Sequence, residues 1–253
     1  MSMRTKPLIG VVCVVVVGAC NTIEPVQFTP SLNQSAIVRD GVPAIVSRRS
    51  NSIVMVSPAK RGEPANGRLN FVVAINNVTK QPVDFHVADI SASQINSDGS
   101  LTALIIIPYQ QLVTEENTRQ VAAALLTGVA AGANAYSAAY AGYGEANGTV
   151  YTPNGPASFT STYYDPGAAA AAQANASAEN DAMIANTIET GQRNLAMLER
   201  TVLKDNTIMP GEWVGGQVHI SPPYSGGASK HYMIDVEVAG DEHKIDIVQG
   251  ATQ

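Results

Sequence analysis

Apolar and polar residues alternate in the first third of the chain with the two-residue period of a half-buried β-strand. The stretch 69–76 is the clearest case, because its four large apolar residues at every second position lie on one face. The other predicted strands of this part are the short apolar runs 44–46, 53–56, 83–87 and 104–107. Pro108 ends the last run, since proline cannot donate a hydrogen bond to a β-ladder.

The same alternation returns near the C-terminus. It predicts strands at 217–221, 232–238 and 245–247, with a turn at 209–211 before the first and a hairpin turn at 239–242 before the last. Two β-rich halves are therefore separated by about 90 residues of different character. The predicted fold class is mainly β with an α insertion.

The insertion, residues 113–204, is predicted to be a long antiparallel helical hairpin. Ala, Gly, Ser, Asn and Tyr dominate its centre, and between 121 and 178 only Glu145 and Asp165 are charged. Thr114 is a predicted N-cap of the first helix, and Asp165 with the proline that follows it predicts the start of the second. Residues 142–164 are rich in Gly and Tyr and predict a surface loop at the tip.

Each predicted helix carries a repeat at 4-3-4-3-4 spacing, which is typical of a packed helical seam. The repeat of the first helix is Val121, Leu125, Gly128, Gly132, Ala135 and Ala139. The repeat of the second helix is Ile184, Ile188, Gly191, Leu195, Leu198 and Val202. In one pairing, Gly128 and Gly132 lie under Leu195 and Leu198. In the other, which the distances along the chain favour, Gly132 meets the Ala-rich start of the second helix near residue 170. Both pairings bury Gly132.

Six of the nine tyrosines lie between residues 136 and 164. Tyrosine gives broad contact area at a low entropic cost, which favours recognition surfaces. The predicted interaction surface consists of Tyr136, Tyr140, Tyr143, Tyr151, Tyr163 and Tyr164. The alternative is that these rings pack on their own helices.

The N-terminus has the pattern of an export signal. Arg4 and Lys6 precede an apolar run of about ten residues, which is too short to span a bilayer. The tetrapeptide 17–20, Val-Gly-Ala-Cys, resembles the lipobox of bacterial lipoproteins. The resemblance implies removal of residues 1–19 and acylation of Cys20, with an ordinary signal peptide as the alternative. Residues 20–42 are then a lipidated N-terminus and polar tether.

A second resemblance covers the two β-rich halves. Residues 71–76 followed by 83–85, and the turn 209–211 followed by 215–218, resemble the immunoglobulin-like sandwich of small bacterial lipoproteins of unknown function. The resemblance implies that 43–112 and 205–253 form the two halves of one sandwich.

The residue after Cys20 is Asn21. By resemblance to enterobacterial lipoproteins, an asparagine at this position implies that the protein is located at the outer membrane and faces the periplasm. Exposure on the cell surface is the alternative.

Charge and cysteine content limit the classes of partner and site that the chain can have. The chain has 15 Lys and Arg against 21 Asp and Glu. Removal of the signal takes away Arg4 and Lys6 and leaves 13 against 21, which disfavours nucleic acid as a partner. Cys13 lies in the signal and Cys20 is the acylated residue, so no thiol remains for a disulfide. Three of the four histidines lie at or near polar positions of the predicted strands, so histidines facing solvent are expected, and no catalytic, cofactor or metal motif is recognised.

We therefore expect a non-enzymatic, membrane-anchored envelope lipoprotein that binds or scaffolds another envelope protein. The second hypothesis is an oligomeric membrane-inserting or pore-associated component, in which the uncharged helix 121–142 enters lipid. An enzyme without a local motif is the third hypothesis. The predicted partners are the lipid bilayer and another envelope protein, a homo-oligomer is left open, and no cofactor is expected.

Overall fold

The computed structural model describes residues 22–153, 155–224 and 229–250. Two long helices, α1 (Tyr109–Tyr140) and α2 (Pro166–Thr201), and one short 3-10 helix (Val87–Asp89) lie among the strands. The strands before α1 are β1 (Ile23–Glu24), β2 (Val26–Thr29), β3 (Gln34–Arg39), β4 (Val42–Arg48), β5 (Ser52–Pro58), β6 (Glu63–Pro64), β7 (Leu69–Asn77), β8 (Val83–Phe85), β9 (Ile90–Ile95), β10 (Leu101–Leu104) and β11 (Ile106–Ile107). Those after α1 are β12 (Tyr143–Thr152), β13 (Gly155–Tyr164), β14 (Asn206–Ile208), β15 (Trp213–Ile220), β16 (Ser229–Val238) and β17 (Asp241–Gly250).

Two antiparallel sheets pack face to face around one core. The strand order of the first is β10-β9-β16-β17-β2, and that of the second is β11-β15-β7-β5-β4-β3. Each sheet contains strands from before and after the helices, so the two halves of the chain close one sandwich. The largest apolar side chains that are fully buried are Phe71, Phe85, Ile45, Leu69, Ile75, Ile208, Ile220, Ile234, Ile245 and Ile247. The predicted class, a β-sandwich with a helical insertion, is confirmed.

Most of the alternating runs lie in strands, but the predicted run 104–107 is divided between the end of β10 in one sheet and β11 in the other, and the run 83–87 is a strand only as far as Phe85. In β7 the residues Leu69, Phe71, Val73 and Ile75 are all fully buried, and in β16 the residues between Tyr232 and Val238 alternate in the same way. β7 pairs with β15 over eight residue pairs, which joins the first half of the chain to the second at the centre of a sheet. The two-residue period fixes the buried face because a one-residue slip would turn these side chains to solvent.

Residues 22–42 differ from the predicted tether. β2 pairs with β17 and buries Val26, while β3 pairs with β4. Both strands lie at sheet edges, and β3 leaves most of its side chains exposed. Edge strands face water along one side and so carry polar residues, which made this segment similar in composition to a linker.

The helical hairpin is confirmed, with shifted bounds. α1 begins at Tyr109 after Pro108, and the predicted cap Thr114 is an interior residue whose hydroxyl donates to the Gln110 carbonyl at 2.9 Å. Asp165 does cap α2, because its carboxylate accepts hydrogen bonds from the amides of Gly167 and Ala168. The two helices pack along each other and form what we call the stalk, residues 109–201 without the hairpin at its end.

Residues 142–164 are not a loop but a regular β-hairpin. β12 and β13 pair in unbroken register from Tyr143 opposite Tyr164 to Thr152 opposite Gly155. Thr, Tyr, Val and Phe favour strands, and they outweigh the glycines that suggested a loop. The stalk therefore ends in a two-stranded sheet, which we call the tip hairpin.

Candidate functional site

The stalk is fixed to the sandwich by a small apolar cluster and an ion pair. Ile107, Leu112 and Val202 form a buried cluster at its base. Both terminal nitrogens of Arg68 donate to the carboxylate of Glu115, at 2.9 and 3.2 Å. A paired guanidinium–carboxylate contact of this kind also sets orientation. The direction in which the stalk leaves the sandwich is thus determined by side-chain packing as well as by the chain connections.

The two helices meet through polar and small side chains. The Gln120 amide donates to the Gly191 carbonyl at 3.1 Å, and the hydroxyls of Thr127 and Thr187 are 3.0 Å apart. Further along, the amides of Asn134 and Asn180 are joined at 3.1 Å. Polar pairs at helix interfaces specify register at some cost in stability, because each must find its partner. The alignment of α1 against α2 is set by these pairs.

Near the base of the stalk this polar interface contains a buried carboxylate. Glu116 is 4% exposed. It accepts hydrogen bonds from the Arg119 guanidinium at 2.6 Å and from the Asn194 amide at 2.9 Å. A buried charge is tolerated only when it is paired in this way.

The seam predicted for α1 is wrong by one position. All six residues of that repeat are exposed, and a Cβ placed on Gly128 or Gly132 would meet no atom within 4 Å. The residues that face α2 precede them in sequence, as Gln120 and Thr127 do. In the second repeat Gly191 and Val202 are buried, whereas Ile184 and Ile188 are exposed. Apolar periodicity failed here because the interface between these helices is polar.

Most of the large apolar residues of α1 therefore face outward. Leu125 and Val129 are 68% and 72% exposed, and Val121 and Leu126 are similarly open. At 100° per residue, Leu125, Val129 and Tyr136 lie on the side of α1 opposite the α2 contact. We call this row the outer stripe. Within the described residues, α1 has the length and apolar composition needed to cross a membrane, a test that helices of soluble proteins also pass.

Four of the six predicted tyrosines form one cluster where the stalk meets the tip hairpin. The ring centroids of Tyr136 and Tyr140 are 4.8 Å apart, those of Tyr140 and Tyr143 are 6.3 Å apart, and those of Tyr143 and Tyr164 are 5.0 Å apart. The spacing of four residues places the first two on one face of α1, and the other two are opposite each other in the hairpin. All four rings are more than half exposed. We call these residues the tyrosine cluster.

The other two predicted tyrosines lie elsewhere. Tyr151 is near the turn of the tip hairpin and is the most exposed of the six, and Tyr163 projects from the opposite face of the hairpin and covers Gly144. The structure thus groups four of the six tyrosines, and this grouping was not predicted from the sequence. The grouping depends on the face of the hairpin from which each strand residue projects, and a sequence pattern that predicts a loop assigns no such face.

A cavity of about 410 Å³ with both polar and apolar lining residues lies beside β6, β7 and β15, and sequence patterns gave no sign of it. Glu63, Asn70 and His219 line it, and each has a buried oxygen or nitrogen without a hydrogen-bond partner among the described residues. Burial raises the pKa of Glu63 to about 7, although the Asn70 amide donates to its other oxygen at 2.8 Å. Burial and the Arg68 guanidinium lower the pKa of His219. Such a cavity suits water or another small polar molecule, and an enzymatic site in this chain would be sought here first.

His243 corrects the expectation that the histidines face solvent. Its ring is fully buried between the sheets, 2.9 Å from the Ser47 hydroxyl on one side and 2.8 Å from the Ser52 hydroxyl on the other. Burial lowers the pKa of His243 to about 4, so the ring is neutral at pH 7. No group of three or more His, Cys, Asp and Glu residues that could hold a metal ion occurs in the described ranges.

Comparison with known proteins found no matching family model, no matching curated protein and no matching solved structure. Cys20, the predicted lipidation site, and the signal that precedes it lie outside the described residues. The stalk, its outer stripe and the tyrosine cluster are therefore interpreted from their geometry alone.

Proposed function

We propose that this chain is a non-enzymatic lipoprotein of the bacterial envelope that binds another envelope protein through the tyrosine cluster. The observation that carries the proposal is the contiguous row of four exposed rings. Aromatic residues dominate the energetic centres of protein interfaces, and tyrosine adds a hydroxyl that can hydrogen-bond at the rim. An exposed aromatic row of this kind is typical of a binding site.

The position of the cluster supports a scaffolding role. α1 has 32 residues, which corresponds to a rod of roughly 48 Å at the usual rise per residue. The rod carries the cluster away from the sandwich, while acylation of Cys20 would hold the sandwich at the outer membrane. A lipid anchor, a rigid spacer and a terminal contact surface are the parts that such a scaffold needs.

The outer stripe favours a second candidate, an oligomeric component whose helix α1 contacts lipid. The polar residues of α1 face α2 and its large apolar residues face outward, which is the reverse of the arrangement in a helix of a soluble bundle. The two candidates differ in solution behaviour. A Cys20→Ser chain that can be extracted without detergent favours the scaffold, and one that stays in the membrane fraction favours the lipid contact.

The binding role is tested by purification of the crosslinked chain from its native cells. The test variant replaces Tyr136, Tyr140, Tyr143 and Tyr164 with Ser, and the control variant replaces Trp213 and Tyr224, two exposed aromatic residues outside the stalk, in the same way. We expect a crosslinked envelope protein with the parent and the control, and at least a tenfold loss with the test variant. Equal recovery from all three chains would contradict the proposal.

A further inference from the structure

The tip hairpin has two open edges. β12 and β13 have ten residues each, and within the described chain each pairs only with the other. In an antiparallel pair, half of the backbone amides and carbonyls of each strand point away from the partner. Exposed edges of this length are usually protected by lysines, prolines or bulges. Neither strand contains Lys or Arg, and Pro156 is next to the turn.

The two faces of the tip hairpin differ in chemistry. Directly opposite residues share a face, so the register divides the side chains into two sets. One face carries polar residues between tyrosines, namely Glu145, Asn147, Thr149, Ser158, Thr160 and Thr162. The other face carries small and apolar residues, namely Gly144, Ala146, Gly148, Val150, Ala157, Phe159 and Tyr163, with Ser161 among them. This is the alternation of a strand that separates an apolar from an aqueous environment.

Aromatic rings hold the hairpin in this register. A Cβ on Gly144 would lie 2.4 Å from the Tyr163 ring, and one on Gly148 would lie 2.6 Å from the Phe159 ring. Each ring thus covers the glycine directly opposite, a contact known to stabilise strand pairs that contain glycine. The hairpin is therefore a defined template for further pairing.

We propose that the tip hairpins of several copies of this chain pair edge to edge into one closed antiparallel sheet. An isolated two-stranded hairpin is marginally stable in water, so strands added at its edges would stabilise it. A second copy fits both edges, because β12 of one copy beside β13 of the next continues the antiparallel order and keeps polar residues on one face. A foreign strand would complete only one edge. Contacts between two different edges are heterologous, and such contacts form a ring when the rotation closes.

The proposal goes beyond the binding role of the tyrosine cluster and does not depend on it. It is tested with the purified full-length chain in a mild detergent, in the absence of other proteins, by light scattering of the eluting particle. Closed antiparallel barrels need about eight strands, so we expect a mass of at least about four copies. A variant in which residues 144–163 are replaced by a short Gly/Ser turn should elute as a single copy.

A crosslinking experiment tests the edges themselves. Two differently tagged chains, one with Asn147→Cys on β12 and one with Thr160→Cys on β13, are mixed and treated with a short bismaleimide, and the parent chain without either substitution gives the background. Crosslinks between the two tags are expected, whereas a pair of Asn147→Cys and Ala185→Cys, the latter on the exposed side of α2, should give none above background.

Three results would overturn the proposal. The first is a parent chain that contains one or two copies, and the second is an unchanged oligomer after removal of the hairpin. The third is a single copy whose hairpin becomes protected from protease only when phospholipid vesicles are added. That last result would assign the apolar face to direct membrane contact.

Discussion

The lack of a side chain at Gly191 makes room for the Gln120 side chain of the facing helix. A Cβ there would lie 2.5 to 2.8 Å from atoms of the Gln120 side chain, which donates to the Gly191 carbonyl. Gly132, in contrast, faces open space. Two glycines at similar positions in the predicted repeats therefore differ in their surroundings, because Gly191 lies in the polar interface and Gly132 faces solvent.

These glycines give a matched pair of substitutions. Gly191→Leu should destabilise the chain by about 1–3 kcal/mol, because the larger side chain overpacks the interface and displaces Gln120. Gly132→Leu should leave stability unchanged or raise it by up to about 1 kcal/mol, because leucine favours a helix over glycine and meets no neighbour. Urea denaturation of both variants and the parent measures the difference. Equal destabilisation by the two substitutions would mean that Gly132 lies in the interface between the helices.

Glu63 provides a test by pH. Its pKa in the folded chain is about 7, against an ordinary value of 4.5, so between these values the folded chain holds a proton that the unfolded chain releases. Its contribution to stability therefore falls as pH rises from 4.5 to 7. Glu63→Gln, which keeps the acceptor for the Asn70 amide, should gain stability over the parent across that range, by up to about 3 kcal/mol.

The control for the pH experiment is built into the comparison. His243, with a lowered pKa of about 4, makes stability rise with pH between about 4 and 6.5, but it titrates in both chains and cancels in the difference. Urea midpoints of the two chains at pH 5 and pH 7.5 are sufficient. A difference that does not change with pH would mean that Glu63 ionises normally in the folded chain.

At the scale of elements, sandwich strands such as β7 and β16 could be predicted because each has one clearly apolar buried face. The presence of the two helices could be predicted, and so could the N-cap at Asp165, because an aspartate followed by proline is typical of a helix start. The faces through which the two helices contact each other could not be predicted. Apolar periodicity identifies the apolar side of a helix, and the apolar side of α1 faces outward. β3 and the tip hairpin were missed for a related reason: their exposed strands bury too little to leave an alternating apolar pattern.

The tip hairpin should be dispensable for folding of the sandwich. In the part of the chain that the structure describes, the tip hairpin pairs with no strand of the sandwich, and changing the length of a loop alters the closure entropy only logarithmically. Replacement of residues 144–163 by a short Gly/Ser turn should shift the thermal midpoint by no more than a few degrees, which corresponds to about 1 kcal/mol. Calorimetry of the parent and the variant provides the measurement. Unfolding of the whole chain would show that the hairpin is part of the folding unit.

At the scale of the molecule, the sandwich and the stalk have different relations to solvent. The sandwich buries its large apolar residues and satisfies most of its polar groups within the core, as His243 does with two serines. The stalk and its hairpin leave apolar and aromatic residues exposed along α1 and at the tip. An exposed apolar surface of this extent indicates contact with something other than water. Under the proposed function, the sandwich supports the stalk and the contacts with other molecules are made at the far end of the stalk.

That claim is tested most directly by photocrosslinking in native cells, with a photoreactive phenylalanine analogue at one position at a time. Tyr140 probes the tyrosine cluster, Ala185 probes the exposed side of α2, and Tyr224 probes the sandwich. The account predicts crosslinked species from the Tyr140 position, whether to another envelope protein or to a second copy, and none above background from the other two. Crosslinks from the Tyr224 position together with none from the Tyr140 position would place the functional contacts on the sandwich and contradict the account.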